Sequence, residues 1–545
     1  MDTEERRLSP WLMFFLFLLL YLLVTPFRDL YGLEARNALF AKEMLGSGPT
    51  IIPRIMGRPY PDYPPLYFLL EYIISLPFQK ITTFSAVAPS AIAGAGLILL
   101  TFYYGKSVSL RVGWLALLIL ATFPEFWLKA SKATIDMLLA FEISLCLFLW
   151  FNAAREDLYW KHNLMEFAGF IILCFAFFTK GPIGIVLPCS IWAVYLLFEK
   201  GTRAMFLFII KAAALSLFLI SAELWLVWKH GGTKFLHEVM ESQVLRRIGH
   251  KSTKSIFYYP LYLIKGTSPW CFSIILYPIL KNRKDLGKKR KKEGLWELIS
   301  NDSATRLSVI WFIVVFMIFS VAGTKHGRYL LTLFPPLALL FALLFDNLKD
   351  ILVVSYRWWN LSLWAIFVTA FIGIWGCYIL NPLNYQIHPF WFYIWTIFYL
   401  IAGVIIFRTK KDSPSLPVIF TAVVLSFGLS GAQLALEPGL SAVESGRAFV
   451  NQAESAVDED MPVVLYGIDD DRDGVKYALY SSRPSAKLIF ANSRAELAEL
   501  SAPFLLVTKK KKIEELRHYL ANKKNCFITQ GLIHKKAVLA FKIES

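Results

Sequence analysis

Charged residues are scarce in this sequence. Only 18% of its 545 residues are Asp, Glu, Lys or Arg, whereas 56% are hydrophobic and the mean hydropathy is +0.51. A soluble globular protein needs more polar residues than this to cover its surface. The composition therefore excludes a soluble protein for most of the chain and predicts a polytopic α-helical membrane protein.

Cysteine is also sparse, and the six cysteines are not spaced as in a disulfide framework, a metal site or a redox motif. Of the six cysteines, five lie inside or at the edge of apolar runs, and Cys526 lies alone near the C-terminus. No pair has the spacing of a disulfide framework or of a metal site. We therefore expect no structural disulfide and no metal-ligating residues, and we expect no cofactor, while a requirement for a divalent metal stays open.

Long apolar runs dominate what is present. Residues 10–27 form the first, and because no small-residue cleavage site follows it, we expect an uncleaved membrane span. Residues 65–80 are short and broken by Pro77, which favours a helix along the outer interface. Counting the first, about thirteen spans are predicted, the others near residues 82–104, 113–129, 135–151, 165–179, 182–198, 204–228, 257–280, 305–322, 329–346, 359–380, 389–407 and 414–436.

The distribution of basic residues predicts the orientation. Arg6 and Arg7 precede the first span and indicate a cytoplasmic N-terminus, because basic loops resist translocation. The basic run at 281–292 is then cytoplasmic too, as a topology anchor rather than a nucleic-acid site. Much of the net charge of +17 lies in such short loops, so no nucleic-acid partner is expected.

The composition changes after Pro438 to that of a soluble domain. Short apolar stretches at 462–466, 487–490 and 504–507 predict buried strands that alternate with helices near 474–482, 493–500 and 511–522, and a last strand or hairpin covers 526–543. We predict a membrane domain at 1–437 and a small α/β domain at 438–545, outside the membrane. Its acidic turn at 469–474 resembles half of a calcium loop, but Tyr480 replaces the required glutamate.

The loop after the first span, 28–80 with its interfacial helices, is unusual for an extracytoplasmic segment because it is rich in cations. Between residues 28 and 64 these are Arg28, Arg36, Lys42, Arg54 and Arg58. Basic residues are disfavoured on this side, so an anionic ligand such as phosphate explains the group well. Contact with lipid headgroups stays open as the alternative for any one of them.

More charge lies at the predicted outer ends of later spans, where an unpaired charge is costly unless it faces a cavity or a partner. Several cations with a few carboxylates fit a lipid-linked phosphate, and a carboxylate would act as general base for an acceptor hydroxyl. Glu34 and Asp136 are candidates, although Glu34 could serve only as an N-terminal helix charge and Asp136 only as a helix cap.

Several short motifs occur in an informative order. Leu33-Glu34-Ala35-Arg36-Asn37 is followed by Pro53-Arg54, Arg58-Pro59-Tyr60 and Pro64-Pro65-Leu66-Tyr67, then by Asp136-Met137-Leu138, Thr179-Lys180-Gly181-Pro182, Ser268-Pro269-Trp270 and Arg328-Tyr329-Leu330-Leu331. This series resembles the aminoarabinose transferase and protein O-mannosyltransferase families over roughly the first 345 residues. The resemblance implies the C-type glycosyltransferase fold and a polyprenyl-phosphate sugar as donor.

The resemblance also implies roles for individual residues. Catalysis would fall to Glu34, Asp136 or Asp62, because Leu33 replaces the aspartate that is usual in these families. Tyr63 replaces a usual lysine or histidine before Pro-Pro, which removes one phosphate contact. The predicted substrate-binding residues, with contacts to the lipid phosphate assigned to Arg36, Arg247 and Tyr329, are Arg36, Arg58, Tyr63, Lys180, Glu241, Arg246, Arg247, Lys325, Arg328 and Tyr329.

The predicted function is transfer of a glycosyl group from a polyprenyl phosphate to a lipid, glycan or protein acceptor of the cell envelope, at the outer face of the inner (plasma) membrane. A flippase for lipid-linked sugars is one alternative, and it would need charge through the depth of the spans, where Glu142 and Glu223 are the main candidates. A catalytically impaired homologue is another. Most of the remaining charge lies at the outer rim, which favours an enzyme.

Overall fold

The computed structural model of this chain is mostly helical, with one small sheet near the C-terminus. The structure describes residues 9–60, 63–241, 254–255, 257–275, 302–322, 325–347, 368–369, 371–376, 378–380, 389–408, 416–470, 472–484 and 487–544. The predictions for Asp62, for Arg246 and Arg247, and for the basic run at 281–292 lie outside these residues.

The N-terminal part begins with two helices joined by a polar loop and continues through a series of apolar helices. Their bounds are α1 Pro10–Leu22, α2 Leu33–Ser47, α3 Leu66–Ser75, α4 Thr83–Lys106, α5 Leu110–Ala121, α6 Pro124–Ala130, α7 Ile135–Arg155, α8 Tyr159–Lys180, α9 Ile183–Glu199, α10 Thr202–Met240, α11 Tyr258–Thr267, α12 Ser303–Val321, α13 Phe334–Asn347, α14 Pro389–Arg408 and α15 Leu416–Ser445. Between α2 and α3 lies a two-stranded hairpin of β1 Arg54–Ile55 and β2 Arg58–Pro59.

Within the described ranges, eight helices are long and apolar enough to cross a membrane, or nine if the bent pair α5 and α6 counts as one span. This finding confirms a polytopic membrane protein, while the figure of thirteen spans stays a prediction. The short α3 packs on α4 and buries Tyr67, Phe68, Glu71 and Ser75. Its ten residues extend only about 15 Å, too short for a span.

Three predicted spans differ from what the structure shows. The span at 113–129 is two helices, α5 and α6, that meet at 69° where Pro124 begins the second helix, because proline cannot supply the backbone donor that would continue the first. The span at 257–280 contains the ten-residue α11, which ends before Pro269. The span at 204–228 continues to Met240 as α10, with a break at Gly232, where φ is 69°.

The C-terminal region contains the strands and helices that the sequence predicts, together with one helix, at 447–455, that the sequence did not predict. Its elements are α16 Arg447–Ser455, β3 Val463–Tyr466, α17 Asp473–Tyr480, β4 Leu488–Ala491, α18 Arg494–Ala498, β5 Phe504–Lys509, α19 Ile513–Ala521, β6 Asn525–Ile533 and β7 Lys536–Ile543. The strand order is β4-β3-β5-β7-β6. The central β3 is parallel to β4 and β5, and β7 is antiparallel to β5 and β6.

Burial on both faces explains why the central strands read as continuous apolar runs. One face contributes Val463 and Leu465 to a core that also contains Phe449 of α16 and Val475 of α17. The other face contributes Val464 and Tyr466 to a second core that packs under α19. The first of these cores also includes Leu39 of α2. The C-terminal unit from α16 to β7, residues 447–543, is called the sheet domain below, and it therefore contacts the first loop of the membrane domain directly.

Candidate functional site

A buried ion pair fixes the start of α2. The Arg28 guanidinium donates to both carboxylate oxygens of Glu34, each at 2.8 Å, and to the carbonyl of Ser131 at 3.0 Å. Glu34 also accepts from the backbone N–H of Ala133 at 2.8 Å. Burial opposes ionisation, but the charge of Arg28 and these hydrogen bonds lower the pKa of Glu34 below its ordinary value. Glu34 is therefore a charged carboxylate enclosed by protein donors.

The second cluster joins three elements around Asp136. This residue lies in the first turn of α7, where its carboxylate contacts Lys180 at the end of α8 and Arg328, whose Nε is 3.5 Å away. The Lys180 ammonium lies 4.7 Å from the centre of the Tyr329 ring. An acid at a helix start and a lysine at a helix end are both favoured by the helix dipoles. The cluster thus brings together four residues that the sequence predicts to form the site.

Arg36 forms a third group with two tyrosines of the first loop. It donates to the hydroxyl of Tyr60 at 2.9 Å, and its guanidinium carbon lies 5.6 Å from the ring centres of both Tyr60 and Tyr63. Among the described residues, none provides a carboxylate within ion-pair distance of Arg36, and its Nε has no hydrogen-bond partner. Arg36 is therefore a half-buried cation with unused hydrogen-bonding capacity.

A cleft lies between the Arg36 group and the end of α8. Tyr60, Tyr63, Pro64 and Pro65 line it from the first loop, and Phe178, two residues before Lys180, lines it from α8. The opposite wall comes from α10, mostly through apolar side chains, with Glu223 as its one acidic residue among the described lining residues. An apolar cleft with one cation beside it, Arg36 on the rings of Tyr60 and Tyr63, suits an amphipathic ligand that has an anionic head.

A larger cavity of about 240 Å³ adjoins this cleft and shares Ile51, Ile52 and Phe235 with it. Arg54 of the hairpin and His230 of α10 contribute its basic groups, together with the polar Thr50. None of its described lining residues is acidic. The first loop and α10 therefore line two adjacent cavities.

Other predicted site residues lie elsewhere. Arg58 is exposed, and its nearest described carboxylate is Asp470 of the sheet domain at 4.0 Å. The backbone carbonyl of Lys325 accepts a hydrogen bond from Lys254. Glu241 directly follows α10. The described contacts of Arg58 and Lys325 are therefore with residues outside the Asp136 and Arg36 groups.

The sequence did not predict one polar cluster, which is centred on Glu437. Glu437, near the end of α15, accepts from Tyr31 at 2.8 Å and pairs with Lys132 at 3.0 Å, and Lys132 also donates to Tyr31 at 2.6 Å. Its signal in the sequence is a lone acid at the end of an apolar run, which by itself indicates only the boundary of the membrane domain. No group of three or more His, Cys, Asp or Glu suited to a metal ion occurs in the described part of the chain.

This architecture is also found in proteins of known structure. No protein-family profile matches the chain. Two crystal structures of ArnT from Cupriavidus metallidurans, one in the apo state and one bound to undecaprenyl phosphate, superimpose with TM-scores of 0.72 and 0.70 at 19% identity, each covering 97% of both chains. The fold is therefore that of the C-type membrane glycosyltransferases, as the resemblance implied.

The chain is also similar in sequence to proteins named as aminoarabinose transferases. It is 26% identical over 403 residues to the undecaprenyl phosphate-α-4-amino-4-deoxy-L-arabinose arabinosyl transferase of Shewanella sediminis, covering 68% of this chain and 67% of that protein. An Aquifex aeolicus protein is 25% identical over 352 residues, covering 63% of this chain and 64% of the other. The chain thus spans about two thirds of the length of the curated relatives that it matches.

Proposed function

We propose that the chain transfers a glycosyl group from a polyprenyl-phosphate-linked sugar to a lipid or other envelope acceptor at the outer face of the inner membrane. The observation that carries this proposal is the position of Arg36, a cation without a described carboxylate partner beside an apolar cleft. The similar ArnT structure bound to undecaprenyl phosphate and the arabinosyl transferases among the relatives support it.

The cations have separate roles in this proposal. Arg36 binds the donor phosphate, and Lys180 and Arg328, which meet at Asp136, provide two further cations. When the bond between sugar and phosphate breaks, negative charge grows on the leaving phosphate, and positioned cations stabilise that charge. The Tyr63 hydroxyl supplies a neutral donor where the related families have a cation. Tyr329 fixes the Lys180 side chain through its ring.

The general base in this proposal is Asp136. Glu34 already accepts three hydrogen bonds from Arg28 and Ala133 and is enclosed by them, so it has little capacity to accept a proton from a substrate. Asp136 is held by Lys180 and Arg328, the two cations that the donor phosphate would attract. Binding of the donor would therefore free a carboxylate oxygen beside the reacting sugar. Asp62 remains the alternative in the first loop.

The acceptor enters the larger cavity in this scheme. Arg54 and His230 give that cavity a basic lining next to the donor cleft, which favours an acceptor with an anionic group near the hydroxyl that receives the sugar. Asp29 pairs with Arg447 of α16 at 2.9 Å, so the sheet domain lies on the same side of the membrane as the first loop. With a cytoplasmic N-terminus, both lie outside.

The test compares envelope lipids and glycans, by mass spectrometry, from cells with the protein, without it, and with Arg36→Ala. We expect one sugar-modified species to disappear without the protein and with Arg36→Ala, and Arg36→Lys to restore it partly, because an ammonium lacks the planar fork of guanidinium. Arg203→Ala, an exposed arginine in the first turn of α10, is the matched control.

Two outcomes contradict the proposal. Full modification in the Arg36→Ala strain would remove the assigned role of Arg36. Transbilayer movement of a lipid-linked sugar by purified protein in vesicles, without any transfer to an acceptor, would instead support a flippase.

A further inference from the structure

The side chain of Lys42 extends from α2 into the sheet domain. Its ammonium donates to three backbone carbonyls at the end of α17, those of Ala478 at 2.7 Å, Leu479 at 3.0 Å and Ser481 at 2.6 Å. Lys42 is one of the first-loop cations for which an anionic ligand was expected. Its hydrogen-bonding partner is instead the C-terminal end of a helix in the same chain.

This contact provides hydrogen-bond partners both for the ammonium of Lys42 and for the carbonyls at the end of α17. The last carbonyls of a helix have no partner within the helix, and the helix dipole gives that end a partial negative charge. An ammonium has three N–H donors, and here each one has a carbonyl acceptor. Burial lowers the pKa of Lys42 to about 8, although Glu454 and Glu43 oppose the shift, so the side chain is mostly charged at pH 7.

The α2 helix presents different faces to the two domains. Leu39 and Lys42, three residues apart and therefore on one face, contact the sheet domain. Glu34 and Asn37 face the connection before α7, where Asn37 donates to the carbonyl of Ala133 at 3.1 Å. Arg36 contacts Tyr60 beside the cleft. Any shift of α2 against the sheet domain would therefore also move the site residues.

Further contacts join the sheet domain to the residues just before α2. The hydroxyl of Tyr480, the last residue of α17, donates to the carbonyl of Leu30 at 2.8 Å. Asp29 accepts from Arg447 at 2.9 Å and from Ser445 at 3.0 Å. The sheet domain thus holds α2 at its beginning and near its middle.

We propose that Lys42 is a positioning residue, through which the C-terminal sheet domain holds α2 at the place where Arg36 contacts Tyr60 beside the donor cleft. An α-helix of fifteen residues moves as a rod about 22 Å long, so loosening it at Lys42 also loosens Arg36, six residues away. The part of this inference that concerns donor binding rests on the proposed function. The part that concerns the hold on α2 does not.

The first experiment measures amide hydrogen exchange in the full-length protein. In Lys42→Met we expect peptides covering 33–47 and 473–481 to exchange at least several-fold faster than in the wild type, while the sheet strands keep their protection. Lys42→Arg keeps the charge and should recover part of the protection. Lys510→Met, which removes an exposed lysine of the sheet domain, is the control and should match the wild type.

The second experiment measures binding of undecaprenyl phosphate to the same variants in detergent. We expect the Kd to rise about 10-fold in Lys42→Met and less in Lys42→Arg, although neither change touches the cleft. If the wild type does not bind this lipid, the proposed function fails, and the exchange data still decide whether Lys42 holds α2. Unchanged exchange in 33–47, or faster exchange with an unchanged Kd, overturns the positioning role.

A milder variant keeps the proposal testable if Lys42→Met does not fold. Tyr480→Phe removes only the hydroxyl that donates to Leu30, and its ring remains to fill the same space. We expect a smaller rise of exchange in 33–47 and of the Kd in the same direction. No change in either quantity would overturn the inference that the sheet domain positions α2.

Discussion

Replacement of Glu34 by Gln distinguishes two roles for this residue: holding the start of α2 through its ion pair with Arg28, or acting as the general base. Glu34 is 4% exposed and Arg28 is also 4% exposed, and the two side chains form a two-point ion pair. The amide introduced by this substitution keeps one oxygen acceptor, but it places an NH2 group where the second oxygen accepted from the guanidinium, which has only N–H groups itself. We therefore expect Glu34→Gln to leave a buried positive charge without its partner.

The magnitude follows from that geometry. Removing one partner of a buried ion pair costs about 3–5 kcal/mol, because the remaining charge is uncompensated. The double variant Arg28→Gln with Glu34→Gln has no buried charge, and its amides can still donate to the Ser131 carbonyl and accept from the Ala133 N–H. We expect the double variant to recover at least half of the stability that the single variant loses.

The free energy of unfolding can be measured by SDS titration of the purified protein in bicelles, with Trp fluorescence as the signal. Glu459→Gln makes the same chemical change at an exposed position and is the control. Turnover is measured on the same samples. If Glu34→Gln is as stable as the wild type and its turnover falls by about 10² to 10⁴, Glu34 acts as the base, and the anchoring role is refuted.

Three further predictions follow from other contacts. Asp136→Asn should lower turnover by about 10² to 10⁴, the contribution of a positioned base, while binding of undecaprenyl phosphate is kept; normal turnover would exclude Asp136 as the base. A cysteine at Ser455 should react with an impermeant thiol reagent outside intact cells and one at Gly287 should not, and the reverse result would invert the topology. Burial opposes ionisation of Asp473, but hydrogen bonds from Lys536 and Lys509 lower its pKa. Its stabilisation of about 1.5–3 kcal/mol is therefore present above the unfolded-state pKa of about 3.9 and lost as the pH falls through the lower folded pKa. A pH titration of unfolding should show this acid-side loss in the wild type and not in Asp473→Asn.

The sequence alone determined the class of protein and the position of most elements. Apolar runs locate helices because a bilayer requires about 20 apolar residues per span, and α4, α7, α8 and α12 occur where predicted. The parallel strands β3, β4 and β5 could be predicted equally well, because parallel strands that are covered on both faces are apolar along their whole length. The motifs from Leu33 to Leu331 also indicated the C-type fold, which the comparisons confirm.

The structure decided which of the charged residues can serve a ligand. In the sequence, Arg28, Arg36 and Lys42 are alike, three cations of one outer loop. In the fold, Arg28 pairs with Glu34, Lys42 caps α17, and Arg36 lacks a carboxylate partner among the described residues. Those partners are up to 439 residues away along the chain.

The physical reason is the range over which each property acts. Helix length and strand pattern depend on neighbouring residues and on the surrounding solvent, so they are encoded locally. Whether a charge is neutralised depends on groups within about 4–6 Å in space, and only the packing of α2 between the membrane helices and the sheet domain brings Ala478 to Lys42 and Ala133 to Glu34.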